Sequence, residues 1–244
     1  QGRNWSQIAK ALAGPDGTQA RPPLVDLPDH GPSPWSAEFS FETYAAAVAD
    51  TLRGIDAEAS WVVVGHSLGG KTAMLLALRY PELVAGLVVV DIAPKHYCDL
   101  DRFQGYIDEM QRLPLAELQS RADAEARFQE PNPAVKAFLL QNLRRDGESW
   151  RWQANLELVA ADAARGSASV IADWPVRPGD VEPFQGPVLW VAGAESPYIQ
   201  PEDVEAMRAL FPRVRQVTVK GASHWVHTDA PEVVVEALRR FMAR

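Results

Sequence analysis

The sequence has a single cysteine, no long apolar run and no concentration of positive charge, and each absence excludes a class of protein. With Cys98 alone, the chain can form neither an internal disulfide nor a zinc site built from several cysteines. One cysteine in 244 residues also fits a reducing compartment, so a cytoplasmic location is expected. No metal site is predicted.

The longest apolar run, Leu83–Ala93, is too short to cross a bilayer and is interrupted by Asp91. The formal net charge is -8 and no basic stripe stands out, so neither a nucleic acid nor a membrane is expected as a partner. Hydrophobic residues make up 47% and charged residues 23%, which is the composition of a globular domain rather than of a disordered chain.

Strand and helix patterns alternate in two stretches and predict an α/β fold. Runs rich in β-branched residues predict strands at Trp61–Gly65, Val84–Asp91, Pro187–Ala192 and Val214–Val219, with Leu24–Asp26 as the end of another. Apolar periodicity predicts helices at Trp5–Leu12, Phe41–Glu58, Leu68–Arg79, Pro201–Leu210 and Pro231–Met242. Such alternation is typical of a mostly parallel sheet covered by helices on both faces.

The pattern breaks between residues 95 and 183, where short helical stretches are separated by prolines and no convincing strand is found. We therefore predict a core of residues 1–94 and 184–244, with residues 95–183 inserted as a helical cap at the carboxyl edge of the sheet. The aromatic and aliphatic side chains of the cap are expected mainly to form its own core, with some of them lining an apolar pocket.

A G-x-S-x-G pattern stands between a predicted strand and a predicted helix, in WVVVGHSLGGK. This context is typical of a nucleophile elbow and makes Ser67 the candidate nucleophile. Gly65 and Gly69 are expected to lie where any Cβ would collide with a neighbouring element. The same turn directs the backbone N–H of Leu68 at a developing oxyanion.

Five histidines are candidates for the general base. His224 lies on a loop between the last predicted strand and the last helix, which is the position the chemistry requires, and it is favoured over His227. We expect His227 to be structural or to cap the helix, and His66 to pack against neighbouring strands. His30 is a candidate for the pocket rim, and His96 is expected at the surface.

The acid that orients the histidine has two candidates. Glu195 follows the strand after the insertion, but the usual G-x-x-D spacing from Gly193 falls on Ser196. Asp91 follows six largely apolar residues at a strand end, where an unpartnered carboxylate would be costly, and it is preferred. Its alternative interpretation is a cap for the turn that follows.

Five segments resemble, in the same order, those of the small YbfF-type bacterial esterases, which are relatives of the mitochondrial α/β-hydrolase domain-containing protein eleven: GHSLGGKTAM, VVVDIAPKHY, DGESWRWQANL, ESPYI and GASHWVH. The resemblance covers essentially the whole chain. It implies an α/β-hydrolase fold with a helical cap and no cofactor, with Ser67 as nucleophile, Asp91 as acid and His224 as base.

The resemblance also implies a His-Gly loop just ahead of Gly2 that supplies a second oxyanion donor. The sequence opens at Gln1, inside that loop, and the pair His30-Gly31 follows a later strand and cannot replace it. We expect that a segment of a few tens of residues precedes Gln1.

The predicted function is hydrolysis of small carboxylic esters through an acyl-enzyme, with a small-molecule ester as the partner. Trp225, His66, Pro94 and Tyr97 are candidates for substrate binding. A serine nucleophile argues against dehalogenase and epoxide hydrolase chemistry, whereas thioesterase, lactonase, carbon–carbon bond hydrolase and perhydrolase activities stay open. A receptor that binds a ligand with little turnover is the alternative from another class.

Overall fold

The computed structural model describes residues 1–13, 22–98 and 101–243, apart from the side chains of residues 101 and 102. The strands are β1 Trp61–His66, β2 Val84–Val90, β3 Leu143–Asp146, β4 Ser149–Trp152, β5 Val188–Gly193 and β6 Val214–Val219. The helices are α1 Ser6–Leu12, α2 Phe41–Ile55, α3 Leu68–Arg79, α4 Asp101–Arg112, α5 Arg121–Arg127, α6 Pro133–Leu140, α7 Leu156–Ala163, α8 Asp203–Leu210, α9 Val226–Asp229 and α10 Pro231–Met242. Short 3₁₀ turns lie at Gly2–Trp5, Pro81–Leu83, Leu115–Glu117 and Gly166–Ala168.

Among the described residues, the main sheet has four parallel strands in the order β1-β2-β5-β6. Because all four run in the same direction, their carboxyl ends lie at one edge of the sheet. The predicted α/β fold with a mostly parallel sheet is confirmed.

The buried strand β2 shows why helices cover both faces of this sheet. Its last four residues, Leu87–Val90, are fully buried. Val88 and Val90 belong to the core cluster that includes Leu238 and Phe241 of α10. Successive side chains of a strand point to opposite faces, so Val89 faces the other way, towards α3.

Most element boundaries agree with the prediction. The bounds of α3, β6 and α10 are those predicted from the sequence. Helix α2 begins after Ser40, whose hydroxyl accepts a hydrogen bond from the Thr43 N–H at 3.3 Å. It ends at Ile55, three residues earlier than predicted, because Asp56 adopts an extended conformation.

Two predictions of strands were wrong. Leu24–Asp26 is extended but is not assigned to a strand, since within the described part of the chain no neighbouring strand pairs with it. In the predicted cap, β3 and β4 form an antiparallel hairpin where no strand was predicted. The hairpin turns at Gly147, whose φ of 62° favours glycine.

The chain divides into two compact units. The first comprises residues 1–27, 40–96 and 174–244, and the second comprises residues 28–39 and 97–173. The second unit therefore differs from the predicted cap: it is shorter at both ends and includes residues 28–39, which the sequence had placed in the core.

Residues 28–39 are tied to the rest of the second unit by a buried carboxylate. Asp29 is fully buried and accepts hydrogen bonds from the Ser36 N–H at 2.7 Å and from Asn155 Nδ2 at 2.9 Å. The Asn155 N–H also donates to the Asp29 carbonyl at 2.8 Å. A buried charge is tolerated only with such donors, so this network holds the two stretches together.

Two buried aromatic side chains contribute to the core of the second unit. Phe128 and Trp152 are buried and meet edge to face. The indole N–H of Trp152 donates to the Met110 carbonyl at 3.1 Å, and that of Trp150 donates to the Leu118 carbonyl at 3.0 Å.

Within the described ranges, every helix is too short or too polar to cross a membrane.

Candidate active site

Ser67 lies on a strained turn between β1 and α3. Its φ of 52° and ψ of -121° fall outside the regions that residues with a side chain normally adopt. Its N–H donates to the Val90 carbonyl at 3.1 Å, which attaches the turn to β2. A Cβ on Gly65 would lie 2.1 Å from the Gly69 carbonyl oxygen, so this turn requires glycine at residue 65.

The prediction for Gly69 was wrong. A Cβ at this position meets nothing within 4 Å, whereas one on Gly70 would lie 2.6 Å from Ile92 Cγ2. The close approach at the elbow is made by the backbone of residue 69, not by its missing side chain. Gly70 is instead the glycine that lets α3 pack against the segment after β2.

Asp91 immediately follows β2 and is fully buried, with a φ of 51°. Its Oδ2 lies 2.8 Å from His224 Nδ1, and its Oδ1 accepts a hydrogen bond from the Gly193 N–H at 2.8 Å. The Ser196 hydroxyl donates to Oδ2 as well. The carboxylate therefore has three partners, and a turn-capping role, the alternative considered for it, does not describe its environment.

His224 is positioned by contacts with the rings of Tyr198 and His66. The Tyr198 ring stacks on it, with centroids 4.0 Å apart and planes at 22°. The His66 ring lies 4.5 Å away, and His66 Nε2 is 2.8 Å from the His224 carbonyl oxygen. The sequence predicted that His66 packs against neighbouring strands, and its contacts with the segment after β6 were not predicted.

Glu195, the other candidate acid, is exposed, and its backbone N–H donates to the Ala222 carbonyl at 2.9 Å. The structure thus brings together Asp91 and His224. Sequence reasoning identified Ser196 only as the residue in the usual position of the acid and missed its hydrogen bond to Asp91. The G-x-x-D spacing was the signal that marked this position as one that faces the histidine.

His227 is buried and stacks on Trp5, with centroids 4.9 Å apart and planes at 19°. Burial, followed by the neighbouring His224, lowers the pKa of His227 to about 4. Burial and the same neighbour lower the pKa of His66 well below its usual value. Neither ring has a carboxylate hydrogen-bonded to it among the described contacts, whereas His224 has Asp91 as its partner.

The residues predicted to contact the substrate or the oxyanion lie on different segments of the chain. Trp225 directly follows His224, and the two rings meet edge to face with centroids 5.3 Å apart. Pro94 is buried. Tyr97 belongs to the second unit, where its N–H donates to the Ala172 carbonyl at 3.0 Å. Leu68 is the first residue of α3, so its N–H has no acceptor within the helix.

The two remaining histidines, His30 and His96, have different local surroundings. His30 belongs to the second unit, where its Nδ1 lies 2.9 Å from the Pro28 carbonyl oxygen. His96 is partly buried rather than fully exposed, in the segment that follows Asp91.

Comparisons with known proteins relate the chain to proteins named as esterases and as a lipase. The mouse protein named sn-1-specific diacylglycerol lipase ABHD11 is 34% identical over 249 residues, which cover 98% of this chain and 76% of the mouse protein. Esterase YbfF of Escherichia coli K12 is 29% identical over 220 residues, covering 89% of this chain and 81% of that protein. Among solved structures, a marine microorganism esterase superposes with a TM-score of 0.88 at 27% identity, covering 98% of this chain and 90% of that chain.

The relationship to YbfF-type esterases expected from the motifs is therefore confirmed. A family model for the alpha/beta hydrolase fold matches residues 2–231, nearly the whole length. The chain belongs to the alpha/beta hydrolase fold family.

Proposed function

We propose that this protein is a serine esterase that hydrolyses small carboxylic esters through an acyl-enzyme on Ser67. The observation that carries the proposal is the contact between the fully buried Asp91 and the partly buried His224, 2.8 Å apart, at the sheet edge where the turn of Ser67 also lies. Because Nδ1 of His224 faces the carboxylate, Nε2 is the ring nitrogen left to exchange a proton with the serine. Relatives that are named esterase and lipase support the same class of reaction.

Acylation begins when His224 Nε2 takes the Ser67 hydroxyl proton while Oγ attacks the ester carbonyl carbon. The carbonyl π electrons move to oxygen, and Asp91 stabilises the imidazolium formed next to it. The tetrahedral intermediate then collapses: the bond to the alcohol oxygen breaks, and the leaving alcohol takes the proton from His224. The product of this half is an ester between the acyl group and Ser67.

Deacylation repeats these steps with water in place of the serine. His224 takes a proton from the water, whose oxygen attacks the acyl carbon, and then returns a proton to Ser67 Oγ as the acyl–serine bond breaks. The carboxylic acid leaves and the enzyme is restored. No redox step occurs, and the acid–base cycle closes on His224.

The oxyanion needs hydrogen-bond donors on the side of the nucleophile. The N–H of Leu68 opens the 12-residue helix α3, and the N-terminus of a helix carries partial positive charge. We propose Leu68 as one donor.

We also propose Trp225, Pro94 and Tyr97 as residues that contact the substrate. A cytoplasmic location is proposed from the single cysteine.

The test is steady-state hydrolysis of p-nitrophenyl esters from acetate to laurate by the purified chain and by its Ser67→Ala variant. We expect multiple turnovers by the parent and a loss of about 10⁴-fold or more in kcat/KM in the variant. A fluorophosphonate probe should label the parent but not the variant. A parent that is labelled yet releases no more than one equivalent of product would support the receptor alternative instead.

A further inference from the structure

His66 reaches from the nucleophile turn to the segment that carries the base. It is the last residue of β1, directly before Ser67, and its Nε2 lies 2.8 Å from the carbonyl oxygen of His224, 158 residues away in sequence. A carbonyl oxygen only accepts hydrogen bonds, so Nε2 must carry the proton and donate it. The hydrogen bond therefore requires a hydrogen on Nε2 of His66.

The same ring packs against three rings of the histidine segment, which is defined as residues 220–229 between β6 and α10. Its centroid lies 4.5 Å from that of His224, 5.5 Å from that of Trp225 and 4.7 Å from that of His227. A single side chain beside the nucleophile therefore supports the histidine segment through one backbone hydrogen bond and three ring contacts.

The His224 imidazole is in contact with two rings, those of Tyr198 and His66. Tyr198 stacks on one side of the His224 imidazole at 4.0 Å, and His66 contacts it at 4.5 Å. Asp91 fixes the direction of the Nδ1 edge. The carboxylate sets the rotation of the imidazole in its plane, while the hydrogen bond from His66 holds the backbone from which that side chain extends.

A donor at this place must be uncharged. A second cation 4.5 Å from the His224 ring would oppose the imidazolium that forms during acylation. Burial holds His66 in its neutral form, since it lowers the pKa of this ring well below the usual value. The chemical type of the residue therefore matters: a lysine or arginine would supply the donor but also the unwanted charge.

We infer that His66 is a positioning residue, whose Nε2–H donates to the His224 carbonyl and thereby fixes the base relative to the nucleophile. This inference rests on the proposed function, because it concerns the alignment of the two residues that react. It differs from the expectation that His66 binds substrate, since the donating nitrogen is occupied by the protein's own backbone.

Two substitutions separate the hydrogen bond from the ring. His66→Gln keeps an N–H donor three bonds from Cβ, as in histidine, whereas His66→Phe keeps an aromatic ring without a donor. We expect the phenylalanine variant to lose about 10- to 100-fold in kcat, with KM within about twofold, because a small displacement of a reacting group costs rate rather than ground-state binding. We expect the glutamine variant to stay within about threefold of the parent.

Rescue by glutamine but not by phenylalanine, at matched thermal stability, is the result that supports the inference. Parent-like kcat in His66→Phe, or equal losses in both variants, would overturn it. A main effect on KM would point to substrate contact and would also overturn it.

A second measurement does not depend on turnover. Imidazole ¹⁵N NMR, with the His66 signals assigned by their loss in His66→Gln, should show a neutral ring at pH 7 that is protonated on Nε2. A ring protonated on Nδ1 alone, or on both nitrogens, would refute the inference even if no ester were hydrolysed. If the parent shows this tautomer but no turnover, the proposed function fails and the hydrogen bond stands as a structural contact, so His66 would have no positioning role.

Discussion

Two neighbouring strands, β2 and β5, end at the same edge of the sheet, and each is followed by a carboxylate in a different environment. Asp91, after β2, is fully buried and lies 2.8 Å from His224. Glu195, after β5, is exposed. The end of β5 instead contributes donors: the Gly193 N–H and the Ser196 hydroxyl both point at Asp91.

The comparison teaches that the charge and the groups that hold it come from different strands. A buried carboxylate is costly unless donors replace the water it loses. The end of β2 supplies the charge, and the end of β5 supplies these donors. Glu195, the carboxylate after β5, is exposed to water and does not need such donors.

Exchanging the two carboxylates for amides one at a time tests the comparison most directly. Asp91→Asn should lower kcat/KM for a p-nitrophenyl ester by about 10⁴-fold, because an amide can stabilise the wrong imidazole tautomer and cannot stabilise the imidazolium. Glu195→Gln is the matched control and should stay within about twofold of the parent. The opposite ranking would move the acid to the end of β5.

The carboxylate after β2 also makes His224 different from the neighbouring His227, since Asp91 is hydrogen-bonded to His224 whereas His227 Nδ1 is buried with no hydrogen-bond partner among the described residues. The pKa of His227 is lowered from 6.5 to about 4. Between these two pH values the side chain is therefore mostly protonated in the unfolded chain but mostly neutral in the folded protein. Its contribution to stability is therefore present above pH 6.5 and is lost as the pH falls towards 4, by up to about 3 kcal/mol.

In His227→Phe this loss should be absent, and urea unfolding between pH 7 and pH 4 would measure the difference. The parent's free energy of unfolding should fall more steeply than the variant's over this interval. Parallel curves would show that His227 takes up its proton normally in the folded protein.

Removing one donor from the end of β5 gives the smallest expected effect. Ser196→Ala takes away the hydroxyl that donates to Asp91 and should lower kcat/KM by about 10-fold, since hydrogen bonds to charged groups contribute about 1.5–3 kcal/mol. Ser196→Thr keeps a hydroxyl and is the control. An alanine variant as active as the parent would mean that the Gly193 N–H alone is sufficient to hold the carboxylate.

Much of the sheet and of the site is predictable from sequence because local and global preferences agree there. The apolar run of β2 has no stable place except between helices, and Asp91 at its end stands out for the same reason. The G-x-S-x-G turn carries its own geometry, as the 2.1 Å approach at Gly65 shows.

Other features depend on contacts that a linear pattern does not contain. Ser196 is an ordinary loop serine until the fold brings it against Asp91. Likewise, the G-x-S-x-G pattern points to Gly69, and only the position of Ile92 shows that Gly70 is the glycine that must lack a Cβ. The β3–β4 hairpin did carry a local signal, the Asp146-Gly147 pair, but its strands are short and rich in arginine.

The carboxylate of Asp29 bears on modular exchange between related hydrolases. The second unit consists of residues 97–173 together with residues 28–39. Residues 40–96, which belong to the first unit, separate these two stretches in the sequence. Transplanting the longer stretch alone would leave the Asn155 amide without the acceptor that it has here at 2.9 Å. A chimera that imports this unit therefore has to be assembled from two separate inserts, and recombination between homologues would have to preserve both crossover points together.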